Sequence, residues 1–167
     1  MAKFLVIAEK PSVAQSLAKN LSAYQRKDGY LEGNSCIVSW CLGHLAEYAP
    51  PEIYDEKYAK WQFEDLPIIP EVWKVQVSED KKKQFDVICS LMNRADVAYL
   101  VNGCDAGREG ELIFKRVYDL AGCQKPVKRL WISSMEDEAI QKGFQTLKDG
   151  KEYVGLCNAA VCRAQAD

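Results

Sequence analysis

Three times along this 167-residue chain, a continuous apolar run of strand length gives way to apolar residues at helical spacing. The first unit opens with KFLVIA at residues 3–8 and continues through Val13, Ala14, Leu17, Ala18 and Leu21, with Pro11 where a first-turn proline is tolerated. In the second, VAYLVNG at 97–103 precedes Ile113, Val117, Leu120 and Ala121, and Gly122 stops the helix. The third runs as a strand from Val127 to Ile132. It then passes through the capping-box spacing of Ser133 and Glu136 into a helix carrying Ala139, Ile140, Phe144 and Leu147, with Gly150 behind it. Strands this apolar are buried on both faces, and a helix after each lets successive strands run parallel. The expected fold is therefore α/β, with a mainly parallel central sheet flanked by helices and ligands held at the carboxyl ends of the strands.

Composition narrows the functional classes. At 48% hydrophobic the chain can fill one core. Lys and Arg total 22 against 24 acids, a net charge of −2, so no global positive field draws in a polyanion, and any such ligand has to be held locally. Seven cysteines, odd in number and without a C-x-x-C pair, argue against a disulfide framework or a zinc knuckle and for a reducing cytoplasmic setting. The run Phe4 to Ala8 is too short for a signal-peptide core or a membrane span, so no membrane partner is expected.

Between the first two units, GYLEGNSCIVSWCLGHLAEY reads as short strands, and APPEIYDEKYAKWQFEDLPIIPEVW as a long loop rich in proline and aromatics. A loop of that length in a compact domain covers or shapes something. Most tryptophans and tyrosines read as packing, with Trp61 and Trp73 left open as base-stacking platforms. The tail EYVGLCNAAVCRAQAD begins a helical pattern through Leu156, Ala160 and Ala164, as if leading into a further element.

The turn NGCDAGREGELIF, residues 102–114, joins the second strand to its helix and carries the chemistry. It offers carboxylates where a phosphate-cradling loop would offer G-K-[S/T], so the ligand it suggests is a hard cation. Mg²⁺ is commonly held by one or two carboxylates together with substrate phosphates. Asp105 and Glu109, with Glu9 at the end of the first strand, could supply such a set, and Gly107 and Gly110 permit the sharp turn. In the competing reading, Glu109 and Glu111 complement the helix dipole while Asp105 caps the helix.

LVIAEKPSVA, GHL, DAGREGELI and RLWISSMEDEAI, in this order, resemble the N-terminal toprim domain of the bacterial topoisomerase III family, type IA topoisomerases. EKPSVA and EDLPIIPE favour topoisomerase III over topoisomerase I. The resemblance implies a toprim domain over residues 1–150, with 151–167 opening the next domain. It also implies an activity in which a tyrosine cleaves single-stranded DNA as a 5′-phosphotyrosine, another strand passes, and the break is resealed.

Residue by residue, the resemblance makes Glu9 the acid that exchanges a proton with the 3′ oxygen and Lys10 the cation that stabilises the phosphoryl transition state. Asp105 and Glu109 become the outer acids of a D-x-D-x-E pattern that organises magnesium, with Glu9 beside them. His44 matches a position near the active site, a catalytic candidate that could touch a DNA phosphate, and Arg108 could contact DNA phosphate or a carboxylate. His44 equally fits a hydrogen-bonded structural role beside Leu42 and Leu45. The middle acid is missing: Gly107 stands in its place, which removes one ligand and one negative charge. Glu111 could substitute, although a glutamate at a helix start more commonly faces solvent. No tyrosine here sits in a matching motif, so the nucleophile is expected in the remaining topoisomerase domains of the full-length chain. Two other readings share these residues: a Mg²⁺-dependent toprim nuclease, and a non-catalytic module that docks or binds single-stranded DNA.

Overall fold

A computed structural model describes all of residues 1–167. Strand β1 (Lys3–Ala8) sits at the centre, with β4 (Cys36–Trp40) on one side and β7 (Val97–Gly103) on the other, both parallel to it. Beyond β7 lies β8 (Val127–Arg129), also parallel. Antiparallel strands close both edges: β3 (Tyr30–Glu32) and β2 (Gln25–Lys27) outside β4, and β9 (Lys148–Asp149) outside β8. The sheet order is β2-β3-β4-β1-β7-β8-β9. A separate two-stranded ribbon joins β5 (Ala46–Tyr48) to β6 (Val75–Val77).

The alternation along β1 divides the core. Leu5 and Ile7 face α2 (Lys82–Met92) and α3 (Arg108–Leu120), meeting Ile88, Met92, Ile113 and Val117. Val6 and Ala8 face α1 (Pro11–Asn20) and α4 (Asp137–Gln145), meeting Ala14, Leu17 and Ile140. Both sheet faces are thereby covered, as the apolar strands require. A last helix, α5 (Val154–Ala166), packs on α3 and buries Cys157 and Ala160. No helix is long and apolar enough to cross a membrane.

The three expected strand-helix units are present, with two corrections in the third. Strand β8 stops at Arg129 instead of reaching Ile132: the Leu130 N–H still donates to Asn102 O of β7 at 3.0 Å, but the Leu130 carbonyl accepts from the Arg129 guanidinium at 3.0 Å, and Trp131 stacks on Tyr153. The capping box is not formed. Helix α4 starts at Asp137, Glu136 occupies its N-cap without a side-chain bond, and Ser134 Oγ accepts from the Glu136 N–H at 3.2 Å. The Asp137 carboxylate is instead held by Lys19 and Asn20 of α1, each at 2.9 Å. Helix α2 is an additional element. Its apolar residues Phe85, Ile88, Leu91 and Met92 recur at helical spacing, but its amino end is three consecutive lysines with no capping side chain.

At the amino ends of β1 and β7, opposite the acidic turn, Lys3 and Arg94 hold Glu32 at 2.7 and 3.0 Å, and Arg94 also holds Asp96 at 2.7 Å. The Lys3 hydrogen bond, and then Arg94, pull the Glu32 carboxyl below its ordinary value against the opposing effect of burial. Arg94 does the same to Asp96. Carboxyls depressed in the folded state contribute stability above their ordinary values and lose that contribution as pH falls through the folded ones. The melting temperature should therefore decline as pH drops below 4.5, the ordinary Glu value. Arg94→Met should lower it at pH 7 and flatten the acid limb, as read by thermal melts between pH 3 and 7.

Candidate functional site at the carboxyl edge of the sheet

Strand register assembles the site. Ala8 lies beside Trp40 of β4 and Gly103 of β7, so the residues that follow each strand are neighbours. Glu9 leaves β1, and its Oε2 accepts the Asp105 N–H at 3.4 Å. The Cys41 N–H donates to Ala8 O at 2.8 Å and the Gly43 N–H to Glu9 O at 3.2 Å, which brings the Gly43-His44 turn alongside. Gly43 adopts φ +67°, a left-handed conformation that favours glycine. His44 Nε2 then lies 2.9 Å from Glu109 Oε2. A carboxylate only accepts, so Nε2 carries the hydrogen. His44 Nδ1 is buried without a partner.

Glu9, Asp105, Arg108 and Glu109 border one open cleft of about 700 Å³, together with Arg163 and Asp167 from the end of α5. A smaller recess of about 250 Å³ adjoins it, lined by His44, Tyr48, Glu109, Arg116 and Arg163. Of the residues singled out in the sequence, four share the cleft and His44 is tied to it through Glu109. Lys10 is exposed at the N-cap of α1, on the same edge but outside the residues that border the cleft. Arg163 is the residue that sequence reasoning passed over. It lies 54 positions beyond Glu109, and only the packing of α5 on α3 brings it near.

The turn itself is shaped from within. A Cβ on Gly110 would lie 2.0 Å from the Asp105 carbonyl oxygen, so only glycine lets α3 start this close to the acidic turn. The N-cap of α3 is Gly107, which has no capping side chain, so Asp105 does not cap the helix and its carboxylate is free for the cleft.

Beneath the turn lies Arg129, 1% exposed. Its Nε donates to Glu111 Oε1 at 2.6 Å. Its Nη1 serves the carbonyls of Asn102, Cys104 and Leu130 at 3.1, 2.5 and 3.0 Å, and its Nη2 serves the Asp105 carbonyl at 2.7 Å. The side chain of Asn102 completes the network by accepting the Cys104 N–H at 3.1 Å. Glu111 is therefore neither a substitute ligand nor a solvent-facing charge. It is 8% exposed and neutralises Arg129, with burial pushing its carboxyl up and Arg129 pulling it down.

No three His, Cys, Asp or Glu side chains converge on a common point. The donor set is two or three carboxylates around a wide, wet cleft, with Glu109 already bonded to His44. That composition does not fit an all-protein metal cage. It does fit a hard cation that keeps several waters and takes its other ligands from a phosphate. Two outcomes follow from the geometry. Arg129→Met should cost about 3–5 kcal/mol in denaturant unfolding, because it leaves Glu111 buried without its partner and the turn carbonyls without donors. Gly110→Ala should retain the fold by circular dichroism but displace the turn, which would appear as faster amide exchange at Cys104 and Asp105.

The Toprim domain family matches residues 4–135. Over all 167 residues the chain is 50% identical to DNA topoisomerase 3 of Bacillus subtilis strain 168 and of Bacillus anthracis, and 48% identical to that of Shouchella clausii strain KSM-K16. It spans 23% of the length of each of these curated relatives. Full-length topoisomerase I from Thermotoga maritima shares the fold with a TM-score of 0.58 over 87% of this chain and 21% of that one, at 16% identity. Toprim domains in topoisomerases bind metal, in keeping with the carboxylates gathered here. Because the family match runs from β1 through the acidic turn and on past β8, the chain belongs to the toprim domain family.

Proposed function

We propose that this chain supplies the acid, lysine and metal-binding half of the active site of a type IA DNA topoisomerase of the topoisomerase III kind, acting on single-stranded DNA in the cytoplasm. The observation that carries the reading is the adjacency of Glu9, at the end of β1, to Asp105 and Glu109, in the turn after β7, within one cleft. Residues 1–150 form the toprim domain in this reading, and 151–167 lead toward the domain that carries the tyrosine.

Asp105 and Glu109 would hold Mg²⁺, with Glu9 at the margin, and the ion would neutralise phosphate charge when bound. Glu9 exchanges the proton of the 3′ oxygen as the phosphodiester is cleaved and resealed. Lys10, exposed on the same edge, meets negative charge developing on the phosphoryl group. His44 orients Glu109 through their hydrogen bond, and Arg108 and Arg163 flank the cleft as cations for the backbone. The floor formed by Arg129 fixes the carbonyls of Cys104 and Asp105, so the turn is posed before DNA arrives.

A hybrid in which residues 1–167 replace the matching region of the Bacillus subtilis relative tests this. It should relax supercoiled plasmid in Mg²⁺, and Glu9→Gln or Asp105→Ala should each lower the rate by about 100-fold or more. Residues 1–167 alone should leave end-labelled single-stranded DNA uncut on a denaturing gel. Cutting that disappears in Asp105→Ala would establish the nuclease reading instead. Gly107 has extended backbone and open space where its Cβ would be, so an aspartate fits there. Gly107→Asp in the hybrid should lower the Mg²⁺ concentration for half-maximal relaxation about threefold or more, with the melting temperature unchanged.

A further inference from the structure

The long segment between β5 and β6 is built, yet it turns its largest apolar side chains outward. The Ala49 N–H donates to Lys74 O at 2.8 Å, the Lys74 N–H donates to the Tyr54 hydroxyl oxygen at 2.8 Å, and Tyr48 packs on Trp73 with ring centroids 4.9 Å apart. Three single-turn 3₁₀ segments follow one another within it, at Pro51–Ile53, Glu56–Ala59 and Phe63–Asp65. On this frame Trp61 is 78% exposed, Phe63 86%, Ile69 75% and Val72 72%. Scattered apolar residues on a surface need no explanation, but Trp61, Leu66, Ile68, Ile69 and Trp73 line a single groove, and a shared apolar concavity of that kind marks an interaction site.

Two observations identify the occupant. The first is position. A groove of about 770 Å³ runs beneath this segment, lined by Tyr54, Trp61, Ile69 and Trp73, and its far wall is the end of α5, Ala164 to Asp167. In the relatives the matched region is the N-terminal 23%, so their chains continue from the position of Asp167, on the wall of this groove. The second is charge. Residues 49–74 carry six acids against three lysines, a net −3 in a chain whose total is −2. That balance repels a nucleic-acid backbone and suits a basic polypeptide.

We infer that the exposed surface of residues 49–73 is an intramolecular interface, docking an apolar, basic-rimmed face of the polypeptide that follows the toprim region in full-length topoisomerase 3. The inference rests on the reading that this chain works joined to such a remainder.

Hydrogen exchange read by mass spectrometry tests it on the hybrid described above and on residues 1–167 alone. Peptides covering 54–73 should exchange at least tenfold more slowly in the hybrid. Trp61→Lys with Phe63→Lys should restore fast exchange there while Asp105→Ala does not, and both substituted side chains are exposed, so the fold tolerates them. Equal exchange in the two proteins would overturn the inference. So would protection of 54–73 in residues 1–167 alone, whether it rises with concentration, which marks a second copy, or on adding a single-stranded oligonucleotide, which marks DNA. Relaxation by the hybrid is scored separately. Activity without protection rejects this interface and leaves the topoisomerase reading standing, whereas protection without activity supports the interface and counts against that reading.

Discussion

A guanidinium taken out of water must have every donor satisfied, and Arg129 meets this demand with the acidic turn. It sits at the end of β8, one strand beyond β7, where the carbonyls of Asn102, Cys104 and Asp105 converge as β7 breaks into the turn before α3. Satisfying the buried cation therefore fixes the path of the turn, and Glu111 from the first turns of α3 balances the charge. The position of Asp105 is thus set by the protein interior and not by a ligand. A site organised in this way spends little on rearrangement when its ligand arrives.

The acids of DAGREGE divide for a geometric reason. Successive residues of an α-helix are rotated by about 100°, so Glu109 and Glu111 point to nearly opposite sides of α3. Glu109 meets the cleft and His44, while Glu111 enters the core beneath the turn. Glu111 therefore does not replace the acid missing at Gly107, a correction to the reading that offered it as a substitute. What spacing could not supply was the partner, because Arg129 is 18 residues away and reaches Glu111 only through the strand order.

The same contrast runs through the fold. The three strand-helix units were readable because buried parallel strands are apolar without interruption and their helices repeat at a different period. The edge strands β2 and β9, QRK and KD, are short, polar and exposed, so they carry no pattern and exist because the strands inside them offer hydrogen-bonding edges. The third unit misled for a related reason: Ser133 and Glu136 have capping-box spacing, but Asp137 is drawn to Lys19 and Asn20, and the helix begins there. Arg163 was hidden because its role depends on how α5 packs.

Glu9, Asp105 and Glu109 border one open cleft without converging on a common point. Three carboxylates pressed together without a cation would raise one another's proton affinity and neutralise the site. Here Glu9 accepts a backbone N–H, Glu109 accepts from His44, and the Asp105 side chain stands exposed, so each acid has its own surroundings. With Gly107 in the middle position the repulsion is lower still. The attraction that draws such acids together must then come from a cation arriving with its own phosphate ligands, and an open cleft of about 700 Å³ has the room to admit them.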